Sequence, residues 1–319
     1  KMQQSAKQSS ENDRMLQDMV NGCDHIFYEK AGRIYRWDRQ FASREKLEDV
    51  IQSIVAAGNR MVNESMPIVD TRLRDGSRVN IVLEPVAIDG SVITIRKFPA
   101  QPMQMEDLLR IGSLSGQMAE WLRTLVISGY NVFVSGGTGS GKTTFLNALS
   151  GYIPSDERVV TIEDSAELQL RGIANLVRLE TRVSNLESVA EISIRQLIRT
   201  ALRMRPDRII VGECRGAEAL DMLQAMNTGH DGSLSTGHAN SCQDMLRRLE
   251  TMVLMGMELP VSAIRAQIAS GIDVLVHLGR LRDRTRKVLD IMELDGMENG
   301  EIRLNPLYHF EETGECEGR

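Results

Sequence analysis

One short stretch constrains the fold of this chain more than any other, the run GGTGSGKTT at residues 136–144. The apolar segment YNVFVS comes directly before it, and TTFLNALSGY, with apolar residues at helical spacing, completes the stretch. In that setting the pattern GxxxxGK[ST] is typical of a turn that joins a buried parallel strand to a helix. The sequence therefore predicts an α/β domain with a mostly parallel sheet and helices on both faces.

The same run predicts a phosphate site. Glycines let successive backbone N–H groups face an anion, and the following helix adds the positive end of its dipole. Lys142 would supply a cation for the β and γ phosphates, and the Thr143 hydroxyl would bind Mg²⁺. A turn that binds nothing would leave both residues unexplained. We expect ATP with Mg²⁺, contacted by Gly136, Thr138, Gly139, Ser140, Gly141, Lys142, Thr143 and Thr144.

Acidic residues follow two further apolar segments. Glu213 ends DRIIVGE, while Glu163 and Asp164 follow RVVTI. The carboxyl ends of parallel strands meet at the edge of the sheet that carries the loop. We therefore expect Glu213 to act as general base and metal ligand, Glu163 to be catalytic and to bind metal, and Asp164 to lie beside the nucleotide. Either acidic cluster alone would also suit a solvated loop or a helix cap.

The segment TGHDGSLSTGHANS places His230 and His238 eight residues apart. His238 follows the short strand SLST, so we expect it to sense the γ phosphate or to orient a catalytic group. His230 is predicted to approach the nucleotide, with a structural histidine as the alternative for each. No cysteine or carboxylate completes a zinc site around the pair.

The composition of the chain disfavours several other classes of function. The net charge of −6 provides no overall basic field, so we expect no nucleic-acid partner. The basic run RLRDRTRK at 280–287 is predicted to be a solvated hairpin turn. No apolar run reaches the roughly 20 residues of a membrane span, and the start of the chain has no signal-peptide core. The four cysteines are scattered, which favours a reducing compartment and a cytoplasmic location.

The length of 319 residues favours two domains, with a single unit as the alternative. The first is predicted to be α+β, with a hairpin around Lys30-Ala31-Gly32, a helix after Ser43, and a tight hairpin turn at Asp89-Gly90. Two prolines in FPAQPM mark a linker. The predicted divisions are 1–16 as disorder or the remnant of a missing region, 17–98 as the first domain, 99–107 as the linker, and 108–319 as the ATPase domain.

Taken in order, GGTGSGKTT, TIEDSAEL, RPDRIIVGECRG and TGHDGSLSTGHANS resemble the Walker A, Asp box, atypical Walker B and His box of the secretion ATPase superfamily. The segments MVNGCDHIFYEKAGRI, PIVDTRLRDGSRVN and VITIRKF resemble its Tad (Flp) pilus branch, of CpaF/TadA type. The resemblance implies a PAS-like first domain, a RecA-like second domain and a homohexamer. It also implies an inner-membrane platform partner that is reached from the cytoplasm.

Arginines in the first domain of such motors approach the nucleotide. By resemblance, Arg96 would be catalytic and Arg74 and Arg78 would contact the nucleotide, with Arg72 as a further candidate; outward-facing surface arginines are the alternative. Another group flanks DRIIVGE, where a salt bridge is favoured over an interface role: Arg203, Arg205 and Arg215.

The expected function is an ATP-hydrolysing hexameric motor that powers the assembly of a Tad (Flp) type IV pilus or a related secretion system, with retraction of the pilus as a further role. A type IV secretion or conjugation ATPase would share every catalytic residue. A regulator that binds ATP without hydrolysing it is a rival from another class, which the acidic clusters disfavour. A hexameric helicase would need a basic channel, which the acidic balance disfavours.

Overall fold

The computed structural model describes residues 15–30, 33–97, 102–182 and 190–314. The chain divides into two compact units, the first ending at Gln101 and the second beginning at Pro102. This division falls inside the segment 99–107 predicted as a linker, but helix α2 already begins at Met105. Most of the segment 1–16 lies outside the described residues, as do Ala31 and Gly32 of the first predicted turn.

The first unit is an antiparallel sheet with one helix. The strands follow the order β3-β2-β1-β6-β5-β4. Helix α1 begins after Ser43, whose side chain accepts a hydrogen bond from the Lys46 backbone N–H, and it ends before Gly58 as predicted. The elements are β1 Met15–Asn21, β2 His25–Lys30, β3 Arg33–Trp37, α1 Arg44–Ala57, β4 Ile68–Arg72, β5 Arg78–Val82 and β6 Val92–Arg96.

Two features of this unit differ from the prediction. Strand β1, which the sequence did not predict, lies inside the sheet between β2 and β6. The predicted tight turn at Asp89-Gly90 is wrong, because β5 and β6 are joined by residues 83–91. Pro85 in that stretch has no N–H to donate to a ladder. Gly90 instead packs against Gly22. A Cβ added to Gly90 would lie 3.1 Å from the Gly22 Cα.

The second unit is built on an eight-stranded sheet in the order β14-β13-β12-β7-β11-β10-β8-β9. Strands from β12 through β9 pair in parallel, and β13 and β14 add antiparallel pairs at one edge. The strands are β7 Val132–Gly136, β8 Arg158–Glu163, β9 Asn175–Glu180, β10 Arg208–Cys214, β11 Leu234–Gly237, β12 Val274–Arg280, β13 Arg286–Glu298 and β14 Glu301–His309.

Helices cover both faces of this sheet. One buried apolar cluster joins the sheet to α5–α8, and another joins its opposite face to α2–α4. The central strands are buried on both sides, which explains their continuous apolar runs. The predicted parallel sheet with helices on both faces is confirmed. The helices are α2 Met105–Arg110, α3 Gly116–Ile127, α4 Lys142–Ser150, α5 Ile194–Ala201, α6 Glu218–Met226, α7 Cys242–Gly256 and α8 Val261–Gly271.

Across the described ranges, no one helix has both the length and the apolar character for a membrane crossing. The pair α7 and α8 meets those criteria only when the two helices are counted together, and the chain bends by 117° between them.

Candidate functional site

The glycine-rich run forms a loop between β7 and α4. A Cβ on Gly136 would lie 2.5 Å from both the Leu278 carbonyl oxygen and the Ser140 Oγ, so no larger residue fits there. Gly141 caps α4 with a φ of +97°, a conformation that favours glycine. Since no side chain caps this helix, the backbone N–H groups of its first turn are available to a ligand. The loop therefore has the form of an anion site.

The loop and the first turn of α4 carry hydroxyl side chains, among them those of Ser140, Thr143 and Thr144. Ser140 is buried, and its Oγ has no hydrogen-bond partner among the described residues. A buried hydroxyl without a partner calls for an explanation, and a bound phosphate would provide one. Thr143 and Thr144 are half-buried in the first turn of α4. In the described ranges, no three His, Cys, Asp or Glu side chains group as metal ligands. Mg²⁺ at such loops takes ligands from phosphates and water, and Thr143 as its protein ligand stays a prediction.

Lys142 lies across this loop. It is only 8% exposed, and its Nζ donates hydrogen bonds to the carbonyl oxygens of Gly136 and Gly137, each at 3.1 Å. Burial lowers the pKa of Lys142, while the nearby Glu213 carboxylate opposes that shift. A buried ammonium whose hydrogen-bond partners are two carbonyl oxygens and a histidine nitrogen would gain from an anionic partner. The side chain is thus poised to bind a phosphate.

His238 connects Lys142 with Glu213. Its Nδ1 lies 3.2 Å from the Lys142 Nζ, and its Nε2 lies 2.6 Å from the Glu213 Oε1. The second contact is within ion-pair distance, although its alignment is not that of a hydrogen bond. Burial and then the Lys142 charge lower the pKa of His238, so the neutral ring is favoured. Since an ammonium can only donate, Nδ1 is the acceptor and Nε2 carries the proton.

Arg215 holds the other side of Glu213. Its Nε and Nη2 both donate to the Glu213 Oε2, the Nε at 2.9 Å, and its Nη1 lies 3.6 Å from the Asp164 Oδ2. The salt bridge predicted for Arg215 is therefore present. Because of it, Glu213 and Asp164 belong to one charged network with His238 and Lys142, beside the glycine loop.

Glu163 occupies a more buried position at the end of β8. Its Oε2 accepts hydrogen bonds from the backbone N–H groups of Glu167 at 2.8 Å and Leu168 at 2.9 Å, whereas its Oε1 has no partner in the described ranges. Burial raises the pKa of Glu163 to about 7. The side chain lies against β10, since a Cβ on Gly212 would be 2.8 Å from the Glu163 Cγ. Its metal-binding and catalytic roles stay predictions.

The structure does not bring His230 to the loop. Its Nδ1 lies 3.2 Å from the Ala225 carbonyl oxygen, and its own carbonyl accepts a hydrogen bond from Ser233 Oγ. The Ser233 carbonyl in turn pairs with Val132 at the start of β7, whereas the loop follows the end of that strand. His230 therefore lies at the opposite edge of the sheet, and this placement does not support a nucleotide contact within its own chain.

The predicted arginines belong to the first unit. Arg72, Arg78 and Arg96 are opposite one another on β4, β5 and β6, so they form a row on one face of that sheet. Arg74 is exposed in the connection between β4 and β5. Contacts of these side chains with a nucleotide stay predictions.

Two residues that contact the loop were not predicted. His277 hydrogen-bonds Ser135, directly before the loop, and Arg286 donates to the Gly139 carbonyl oxygen. The basic run 280–287 was the only signal for Arg286, and no pattern in the sequence pointed to His277.

Similarity to known protein families is evidence on the function of this chain that does not depend on the geometry of the site. A family described as type II/IV secretion system protein matches residues 3–316. A putative conjugal transfer protein of Mycobacterium tuberculosis is 35% identical, over 91% of this chain and 84% of its own length. The type IV secretion system protein PtlH of Bordetella pertussis is 36% identical, over 87% of this chain and 90% of its own length.

Solved structures agree with these relatives. The VirB11 ATPase of the Brucella suis type IV secretion system is 30% identical with a TM-score of 0.51, over 88% of this chain and 92% of that protein. The Legionella pneumophila ATPase DotB matches in fold with a TM-score of 0.62 at 24% identity, over 88% and 77% of the two chains. The names of these relatives agree with the secretion and conjugation alternative, and Tad pilus assembly stays a prediction. The chain belongs to the type II/IV secretion system protein family and is an ATPase with a RecA-like second unit.

Proposed function

We propose that this ATPase powers a type IV secretion or conjugal transfer system. The observation that carries the proposal is the line of contacts from the glycine loop through Lys142 and His238 to Glu213. It joins a phosphate-binding cation to a carboxylate able to activate water. The relatives with secretion and conjugation names supply the biological setting.

In the proposed reaction the loop amides and Lys142 bind the β and γ phosphates. Bound Mg²⁺ would neutralise developing charge on the phosphate oxygens, with Thr143 as its protein ligand. Glu213 accepts a proton from the attacking water. The water oxygen forms a bond to the γ phosphorus while the bond to the β–γ bridging oxygen breaks, which gives ADP and phosphate. Glu213 must first turn from His238 and Arg215 toward that water.

The same contacts suggest how binding becomes motion. In this structure the Lys142 Nζ contacts the carbonyl oxygens of Gly136 and Gly137 and the His238 Nδ1. A γ phosphate would compete for the ammonium and release the histidine. His238 would then reorient with Glu213, so the segment after β11 responds to the presence of the phosphate.

The working assembly proposed here is a homohexamer on the cytoplasmic side of the inner membrane, acting on a platform protein embedded there. Arginines of the first unit, with Arg96 foremost, would complete the site from the same or a neighbouring subunit. Their alignment in one row concentrates positive charge on one face.

Tad pilus assembly is the second candidate, because the segments MVNGCDHIFYEKAGRI and VITIRKF resemble that branch. Replacing the chromosomal gene with a Glu213→Gln allele separates the two in the source organism. Loss of substrate transfer with normal surface pili supports the secretion reading. Loss of surface pili with normal transfer overturns it in favour of pilus assembly.

Phosphate release by the purified chain with Mg-ATP tests the enzymatic part. Phosphate release should be lost in the Lys142→Ala variant. Phosphate release by the wild-type chain should be unaffected by single-stranded DNA. Strong stimulation by DNA would instead indicate a helicase. Binding of ATP without phosphate release would indicate a regulator.

A further inference from the structure

Strand β12 contacts the phosphate loop at the point where the loop begins. His277 and Ser135 are opposite each other on neighbouring parallel strands, and the His277 Nδ1 lies 2.8 Å from the Ser135 Oγ. Both residues are buried. Next along β12, the Leu278 carbonyl closes over Gly136, as the 2.5 Å approach to a Cβ there shows.

His277 also reaches the segment that carries His238. The Asn240 backbone hydrogen-bonds the His277 ring, and a backbone carbonyl can only accept. Burial lowers the pKa of His277 despite the opposing charge of Asp290, so the ring is neutral. The Nε2–H therefore donates to Asn240, and Ser135 donates its hydroxyl proton to Nδ1. One ring thus ties the start of the loop to the segment beyond His238.

Strand β13 contacts the tip of the same loop. The Arg286 Nε donates a hydrogen bond of 2.8 Å to the Gly139 carbonyl oxygen. Its aliphatic stem lies over Gly141, where a Cβ would be 3.4 Å from the Arg286 Cδ. In a trans peptide the N–H opposes the C=O. Fixing the Gly139 carbonyl on the outside therefore holds the Ser140 N–H on the opposite side of the peptide, where it donates a hydrogen bond of 3.3 Å to the Gly137 carbonyl oxygen and closes the turn of the loop.

We propose that the hairpin of β12 and β13 is a splint for the phosphate loop, with His277 and Arg286 as positioning residues. A loop with four glycines in 136–141 has many conformations to lose when phosphate binds. Contacts at Ser135, Gly136 and Gly139 remove part of that freedom in advance. The splint lowers the entropic cost of binding any ligand whose phosphates lie in the loop.

A matched pair of arginine variants tests the contact at the loop tip. Arg282 is an exposed arginine in the turn that precedes β13. Arg286→Ala should raise the Kd for ADP and for a non-hydrolysable ATP analogue by the same factor, about 3- to 10-fold. Arg282→Ala should change neither. Isothermal titration calorimetry measures both values, and the melting temperature should stay within about 2 °C of wild type.

A pair of serine variants tests the contact at the start of the loop. Ser235 is buried on the adjacent strand β11, and its Oγ has no hydrogen-bond partner among the described residues. Ser135→Ala removes the donor to His277 and should raise both Kd values several-fold. Ser235→Ala removes the same hydroxyl group from a buried position in the same sheet without breaking a hydrogen bond. It should therefore leave both Kd values unchanged.

The Kd values of each variant for ADP and for the ATP analogue decide whether the hairpin acts as a splint. Equal weakening of ADP and of the ATP analogue in Arg286→Ala and Ser135→Ala supports the splint. Unchanged affinities in these variants overturn it. Weakening of the ATP analogue alone also overturns it, because Arg286 would then contact the γ phosphate directly. The wild-type titration shows that the nucleotide binds, so failure of the splint is distinct from failure of binding.

Discussion

Glu163→Gln should stabilise the protein at alkaline pH and have little effect at acidic pH. The folded carboxyl has a pKa of about 7 against an ordinary value of 4.5. Below about pH 4.5 the group is protonated in both the folded and the unfolded chain, so it contributes no difference. As pH rises toward 7, the unfolded chain releases the proton before the folded chain does. Stability from this group is therefore lost with rising pH, and the loss is complete above pH 7.

The size of the effect follows from the two pKa values. They differ by about 2.5, and each pKa unit corresponds to about 1.4 kcal/mol, so the ionised carboxylate costs at most about 3 to 4 kcal/mol above pH 7. Burial causes the cost, since Glu163 is 4% exposed and its Oε1 has no partner in the described ranges. Glutamine has the shape of the neutral acid, and its carbonyl can still accept from Glu167 and Leu168.

Urea unfolding of wild type and variant at pH 5, 6, 7 and 8 measures this difference. Relative to wild type, the variant should gain stability from pH 5 to pH 7 and level off by pH 8, while the exposed control Glu298→Gln should give a flat line. A difference between Glu163→Gln and wild type that does not change with pH would refute the reasoning. So would a variant that is less stable than wild type at pH 8.

Three further predictions concern binding, stability and the first unit. Lys142→Ala should weaken ATP binding by about tenfold or more in calorimetry, because a charge-assisted phosphate contact is lost, and unchanged affinity would contradict that contact. Arg208→Leu should lower the free energy of unfolding by about 2 to 4 kcal/mol, since it removes a buried guanidinium that pairs with the half-buried Glu157 carboxylate and donates to the Val126 carbonyl, whereas the same change at the exposed Arg123 should cost under about 1 kcal/mol. Arg96→Ala should lose ATPase turnover with an unchanged circular dichroism spectrum, and full turnover would remove Arg96 from the site.

Sequence patterns predicted the elements whose signals are local. The strand, loop and helix around residues 136–144 depend on neighbouring residues, and the helix after Ser43 carries both a cap and an apolar stripe. Parallel strands also bring their carboxyl ends to one edge, which is why Glu213 and His238 could be grouped in advance. The contact of Lys142 with His238 follows from that arrangement.

The features that the sequence did not predict depend on contacts between residues that are far apart in the chain. Strand β1 gains its partners from β2 and β6, and neither pairing is visible in its own residues. His230 lies near His238 in sequence, but four residues of β11 carry the chain to the other edge of the sheet. Arg286 reaches the loop across 147 positions of sequence. Residues that lie so far apart in the sequence become neighbours only in the assembled sheet.

The central claim is that the loop binds ATP and that Glu213 activates water for its hydrolysis. The most direct measurement compares ATP affinity and steady-state phosphate release in wild type and Glu213→Gln. Affinity should be retained, and turnover should fall by about 10² to 10⁴, the usual contribution of a general base. Near-normal turnover in this variant would contradict the account.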